Sequence, residues 1–162
     1  LNWRAVFWDY SNFSSKISKT ARMNLIKQFL NHAHVLKLAK EEASLFFEQE
    51  NPMLISQQMS ERPDVIITDG KNPVEWFING LQGTTETNDS QKIVDTTGAG
   101  DAFLAGLISK LISSGYPSNE LEIRDCVNFA SVCGLLTCLG EGAIEQQPDH
   151  EKVNKFLGSL IK

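Results

Sequence analysis

The sequence predicts an α/β protein, a mainly parallel sheet covered by helices with one antiparallel patch. Three observations carry this prediction. Asp64-Val-Ile-Ile-Thr-Asp69, an apolar run bounded by acids, is the clearest strand. Before it, short apolar runs alternate with segments whose apolar residues recur at helical spacing. Beyond Val94 the helical spacing dominates to the end of the chain.

Residues 3–8 read as the end of a strand, followed by a polar, turn-like stretch over 9–18. Thr20 suits the cap of a helix reaching about His32, with Met23, Leu25, Ile26, Phe29 and Leu30 as its stripe. Residues 35–38 form a short buried strand and 40–47 a short helix. Pro52 fits the first turn of a helix ending near Ser60. Gly70 and an Asn72-Pro73 turn stop the strand at 64–69, and residues 74–79 alternate as a hairpin strand does. Two short strands, about 82–87 and 91–94, precede a helix over 99–114 that Gly115 and Pro117 end. A helix over 119–138 is apolar nearly all round and therefore central, and a last helix covers 149–160.

The chain has 162 residues, enough for one domain with its own core. Its 15 basic and 20 acidic residues give a net charge of −5, and no basic cluster stands out. That argues against nucleic acid or an anionic membrane as partner. No apolar run approaches bilayer length and no signal segment opens the chain. Cys126, Cys133 and Cys138 share one apolar segment, which reads as buried, reduced thiols of a cytoplasmic protein rather than a zinc or redox motif. His32, His34 and His150 are scattered and read as structural or surface residues. The opening Leu1-Asn2-Trp3-Arg4 lacks an initiator Met and reads as part of something larger.

Residues 94–108 carry the chemistry. Gly98, Ala99 and Gly100 present almost no side chain at the predicted start of a helix, so a ligand can approach their N–H groups closely. Such N–H groups lack intrahelical acceptors and favour an anion, typically phosphate. Asp101 is ill suited to bind phosphate, because its charge repels it; it suits a base that takes a proton from an attacking hydroxyl. The alternative is an ordinary first-turn acid on a Gly-rich helix start.

Asp95-Thr96-Thr97-Gly98-Ala99-Gly100-Asp101, followed by Ala105-Gly106, resembles the C-terminal signature of the ribokinase (PfkB) family of carbohydrate kinases, without departure through Ile108. The resemblance extends over essentially the whole chain and corresponds to the C-terminal half of such a kinase. It implies a ribokinase-like three-layer α/β/α sandwich, here incomplete, without the N-terminal sugar-binding and lid part. It also implies phosphoryl transfer from ATP to a sugar hydroxyl, of the fructokinase type. Asp101 would be the base and the amides of Gly98, Ala99 and Gly100 an anion hole, with Mg2+ and a monovalent cation such as K+ as cofactors.

Further residues follow from the same resemblance. Asn2-Trp3-Arg4 is similar to the D-x-N-x-R segment of fructokinase-like members, which places Arg4 near the transferred phosphate; the alternative is a solvated arginine. Glu42 matches the acid of the N-x-x-E segment, which supports magnesium through water, while Ala39 departs from its Asn. Thr68-Asp69-Gly70 resembles the T-x-G turn beside the nucleotide, and Ser131 stands in the segment beside the adenine. Gly140-Glu141-Gly142-Ala143 resembles the loop closing the nucleotide pocket; with the carbonyls of Asp95 and Thr97 it would hold the monovalent cation. A plain turn glycine at Gly70, a core serine and a helix-ending glycine pair remain the alternatives.

The expected partners are ATP and a small sugar, with self-association through the surface that a missing half would cover. The isolated chain is expected to be weakly active or inactive. The competing reading is a non-catalytic nucleotide-binding, regulatory or assembly fragment derived from such a kinase.

Overall fold

The computed structural model describes residues 25–160 apart from Lys27, Asn31, Asp89 and Ser90. The expectations for residues 3–8, 9–18, Thr20 and Arg4 lie outside the described residues. The elements are β1 (Val35–Ala39), α1 (Lys40–Phe47), α2 (Pro52–Gln57), β2 (Asp64–Asp69), β3 (Asn72–Ile78), β4 (Leu81–Thr85), α3 (Ala99–Ser114), α4 (Glu120–Thr137) and α5 (His150–Leu160). The four strands form one sheet in the order β1-β2-β3-β4. β1 and β2 are parallel, with Val35 opposite Asp64 and Ala39 opposite Thr68. The two-residue links after β2 and β3 allow only antiparallel neighbours, so the sheet is mixed, as the sequence predicts.

Two compact units make up the chain. One runs to Thr68 and includes Glu75–Gln82; the other comprises Asp69–Val74 and Gly83 onward.

In the first unit, the apolar core joins Leu36 and Leu38 of β1, Phe46 and Phe47 of α1, Ile55 of α2 and Val65 and Ile67 of β2. Val65, Ile66 and Ile67 are all buried, which explains why β2 reads as an unbroken apolar run. Trp76 is fully buried and alternates along β3 with half-buried Glu75 and Phe77. α2 starts where the Asn51 side chain accepts the Leu54 N–H at 3.1 Å, with Pro52 in the first turn. It ends at Gln57, short of the expected Ser60, where the Met59 N–H turns to the Ser56 carbonyl at 3.1 Å, three residues back; left-handed Arg62 (φ 44°) and Pro63 then lead into β2.

Asp64 opens β2 half-buried, and its Oδ1 accepts the N–H of Asn79 at 2.9 Å. Asn79 has a φ of 50°, and the bond ties down the turn between β3 and β4. Burial pushes the Asp64 carboxyl up to about 6, outweighing the opposite pull of the Asn79 bond.

The turn after β2 falls at Gly70 (φ 55°) and Lys71, not at Asn72-Pro73, which begin β3 instead. A positive φ at one glycine suffices to reverse the chain, and the Asn72 side chain donates back to Asp69 Oδ2 at 3.0 Å. β4 covers 81–85 rather than 82–87. The strand expected at 91–94 is absent: Ile93 and Val94 are exposed, and the Val94 N–H donates to the carbonyl of Cys138 at 2.9 Å instead of to a ladder.

In the second unit, α3 and α4 pack closely along small residues. A Cβ at Gly106 would lie 2.6 Å from Cys133 Sγ and 3.3 Å from Ala130 Cα. One at Gly134 would lie 3.0 Å from the Ala99 carbonyl oxygen. The short link at 115–119 makes the two helices antiparallel, so the start of α3 lies beside the end of α4. Asn119 caps α4 by accepting the Glu122 N–H at 3.0 Å. The outer face of α4 receives α5 through Phe129, Val132, Cys133 and Val153, with the His150 ring edge-on to Phe129 at 4.8 Å. The three cysteines are free and buried, and burial pushes the Cys133 thiol up to about 11.

Two outcomes follow from this packing. Gly106→Ala is expected to destabilise the chain by about 1–3 kcal/mol in urea unfolding, with Cys133→Ala in the same background recovering part of the loss. For Asp64, the native state holds its proton more tightly than the unfolded chain, so its contribution to stability falls as pH rises from about 4 to about 6. Asp64→Asn keeps an acceptor for Asn79 and abolishes that fall. Its stability relative to wild type should rise by up to about 3 kcal/mol between pH 4 and pH 7.5, measured by denaturant unfolding at each pH.

Candidate active site

The turn before α3 is built by a single carboxylate. Asp95 Oδ1 accepts the N–H of Thr97 at 2.9 Å and the Thr97 hydroxyl at 2.7 Å. This local Asp-to-(i+2) bonding shapes the backbone over 95–97 without regular structure. The other oxygen, Oδ2, accepts the N–H of Gly142 at 3.0 Å, across 47 residues. The Thr97 hydroxyl first, then the Thr97 and Gly142 amides, hold the Asp95 carboxyl below the usual carboxylate range.

Gly98 follows as the N-cap of α3 with φ 81°, a left-handed conformation that strains any residue with a side chain. A Cβ there would also lie 2.7 Å from the Cβ of Ala143. The loop at 140–143 is thus seated on the start of α3 by a polar contact, Gly142 to Asp95, and an apolar one, Ala143 to Gly98. Gly142 itself has a φ of 75°.

The helix start presents open donors. Among the described residues, the N–H groups of Gly98, Gly100 and Asp101 donate to nothing, whereas that of Ala99 donates to the Thr96 carbonyl at 3.2 Å. Asp101 is exposed in the first turn, and its carboxylate accepts no hydrogen bond among the described residues. The carbonyl of Thr96 is occupied by Ala99; those of Asp95 and Thr97 accept nothing among the described residues.

The other predicted positions fall as follows. Ser131 lies half-buried on α4 and donates its hydroxyl to the Val127 carbonyl of its own helix at 2.9 Å. Gly70 is an exposed turn glycine with open space around it. In the first unit, the Thr68 hydroxyl donates to the Leu38 carbonyl at 3.4 Å, across the β1–β2 pair. Glu42 is the third residue of α1, and its Oε2 accepts the N–H of Ala39 at 2.7 Å. That is half of a capping box: Ala39, standing where the resembled motif has Asn, supplies no side-chain acceptor in return. Among the described residues no group of three or more His, Cys, Asp or Glu is placed to hold a metal ion. No helix among them is long and apolar enough to cross a membrane.

Two contacts escaped the sequence reading, the Asp95 carboxylate on Gly142 and the Ala143 methyl on Gly98. The spacing of Asp95 and Thr97 signals the local half of the first. Nothing in the sequence signals a bond across 47 residues.

The fold matches that of known kinases. Fructokinase from Xylella fastidiosa with bound ATP superposes with a TM-score of 0.76 at 22% identity, over 100% of this chain and 51% of that one. Fructokinase from Vibrio cholerae O395, bound to fructose, ADP and a calcium ion, superposes with a TM-score of 0.70 at 27% identity, over 83% and 44%. The chain therefore has an incomplete ribokinase-like α/β fold. In sequence it is 31% identical over 131 residues to the fructokinase of Escherichia coli, covering 79% of this chain and 42% of that one. It is 29% identical over 149 residues to the probable fructokinase-7 of Arabidopsis thaliana, covering 88% and 43%. The pattern of the pfkB family carbohydrate kinases matches residues 8–150, and the chain belongs to that family. It spans about half the length of these relatives, or less.

Gly98→Ala tests the helix start. The left-handed φ costs about 1–2 kcal/mol for a residue with a Cβ, and the contact with Ala143 adds to it. Adding Ala143→Gly should recover only the contact part, as read by urea unfolding of the single and double variants.

Proposed function

We propose that this chain carries the nucleotide-binding and phosphoryl-transfer part of an ATP-dependent sugar kinase of the fructokinase type. The observation that carries the reading is the start of α3. Open amides at Gly98, Gly100 and Asp101 stand beside an exposed, unbonded carboxylate, in a chain of the pfkB family. The Asp101 carboxylate takes the proton of the sugar hydroxyl as that oxygen forms its bond to the γ-phosphorus of ATP. The bond from the γ-phosphorus to the bridging oxygen breaks and ADP leaves. Amides at Gly98 to Gly100 stabilise charge on the phosphoryl oxygens, with Ala99 the weaker donor because Thr96 already engages it. By the family resemblance, Gly70, Thr68, Ser131 and Gly142 are the positions assigned to the nucleotide, and Arg4 the position assigned to its phosphates.

The residues present fit the ions of the reading. Magnesium keeps several waters and needs few protein ligands. Glu42 would hold it through water with Oε1, the oxygen that Ala39 leaves open. The unengaged carbonyls of Asp95 and Thr97 suit a large monovalent cation such as K+. When bound, magnesium supplies positive charge against the phosphates. The whole protein works in the cytoplasm on a small sugar. The 162-residue chain alone, about half the length of its relatives, phosphorylates sugar weakly or not at all, and its uncovered surface favours self-association.

Asp101→Asn in the full-length protein is expected to keep ATP affinity and lower kcat with fructose by about 10²–10⁴-fold, measured by coupled ADP release and by nucleotide titration. Near-normal turnover would remove Asp101 from the role of base.

A further inference from the structure

We propose that Asp95 is a positioning residue, whose side chain holds the 140–143 loop against the start of α3 and so aims the amides of Gly98, Gly100 and Asp101. The inference rests on the phosphoryl-transfer reading above, but it concerns atoms that reading does not use. There Asp95 contributes its main-chain carbonyl; here the carboxylate acts.

Both oxygens of that carboxylate are committed. Oδ1 takes the Thr97 N–H and hydroxyl at 2.9 and 2.7 Å, which sets the direction in which the chain enters Gly98. Oδ2 takes the Gly142 N–H at 3.0 Å, which brings in a loop 47 residues away. The Ala143 methyl, next to Gly142, then packs on Gly98 so closely that position 98 has no room for a Cβ. The loop is thus a lid on the outer side of the left-handed N-cap, and Asp95 is its latch. The backbone supplies a parallel link, because the amides of Val94 and Asp95 both donate to the Cys138 carbonyl, at 2.9 and 3.3 Å. That link fixes the foot of the loop; at the tip the Ala143 carbonyl accepts the Gln147 side-chain amide at 3.1 Å within the loop itself, and the carboxylate supplies the hydrogen bond that joins the tip to the start of α3.

The chemistry of the latch separates it from a generic polar contact. All three donors need an acceptor, and only a carboxylate offers acceptors on both sides. An amide at position 95 satisfies one side and presents a donor to the other. Asp95→Asn therefore breaks one half of the latch while preserving size, and Asp95→Ala breaks both.

The test uses the full chain labelled with ¹⁵N, with amide hydrogen exchange read residue by residue and nucleotide affinity read by titration of ATP. Exchange at Gly142 is expected to speed up about tenfold or more in Asp95→Asn, and at both Thr97 and Gly142 in Asp95→Ala. ATP affinity should fall about tenfold in either variant, while the thermal midpoint of α3 and α4 moves little. Unchanged exchange at Gly142 in both variants would overturn the latch. So would a loss of affinity that a high concentration of KCl fully restores, since the carboxylate would then act on a cation. If the wild-type chain binds no ATP, the phosphoryl-transfer reading fails, whereas the exchange data still decide whether Asp95 holds the loop.

Discussion

The close approach of α3 and α4 governs the second unit. Gly106 and Gly134 leave no room for side chains at the crossing, where Cys133, Ala130 and the Ala99 carbonyl press in. Because the helices are antiparallel, this contact brings the start of α3 beside the loop that leaves α4. Every further contact at the candidate site depends on that neighbourhood. The Cys138 carbonyl can take the amides of Val94 and Asp95, and Gly142 can reach the Asp95 carboxylate, only because the helix axes lie so near each other. Bulk at the crossing would separate the two loops at the same time as it cost packing energy.

Two carboxylates six residues apart are handled in opposite ways. Asp95 is surrounded by donors, which stabilise its charge and make it a structural acceptor. Asp101 is exposed and accepts nothing among the described residues, so its lone pairs stay available to a hydroxyl. A base and a brace require different surroundings, and the left-handed Gly98 between them sets those surroundings apart.

The first unit shows a similar economy at the start of α1. Alanine at position 39 removes the side-chain acceptor that an N-cap normally supplies, and Glu42 satisfies the Ala39 amide instead. One of its oxygens is thereby occupied by the fold. At Asp64 the fold accepts a cost: the half-buried acid secures the β3–β4 turn through Asn79, while burial disfavours its charge above pH 6.

The sequence by itself determined the elements whose signals are local. β2 follows from an unbroken apolar run, α3 from glycines at both ends, and α4 from an apolar surface on nearly every side, because burial and capping act within a turn or two of the residue concerned. The family, too, was legible, since the glycines and acid of 95–101 lie within seven residues. Only the tertiary structure decided what pairs with what. Residues 91–94 have the apolar character of a strand, yet a strand needs a neighbouring ladder, and Val94 finds the end of α4 instead. Pro73 reads as a turn, but the turn closed one step earlier at Gly70. The bond from Asp95 to Gly142 and the fit of Ala143 on Gly98 join positions more than 40 residues apart. No periodicity or propensity encodes such contacts, because they exist only once helix packing has set the distance between the two loops.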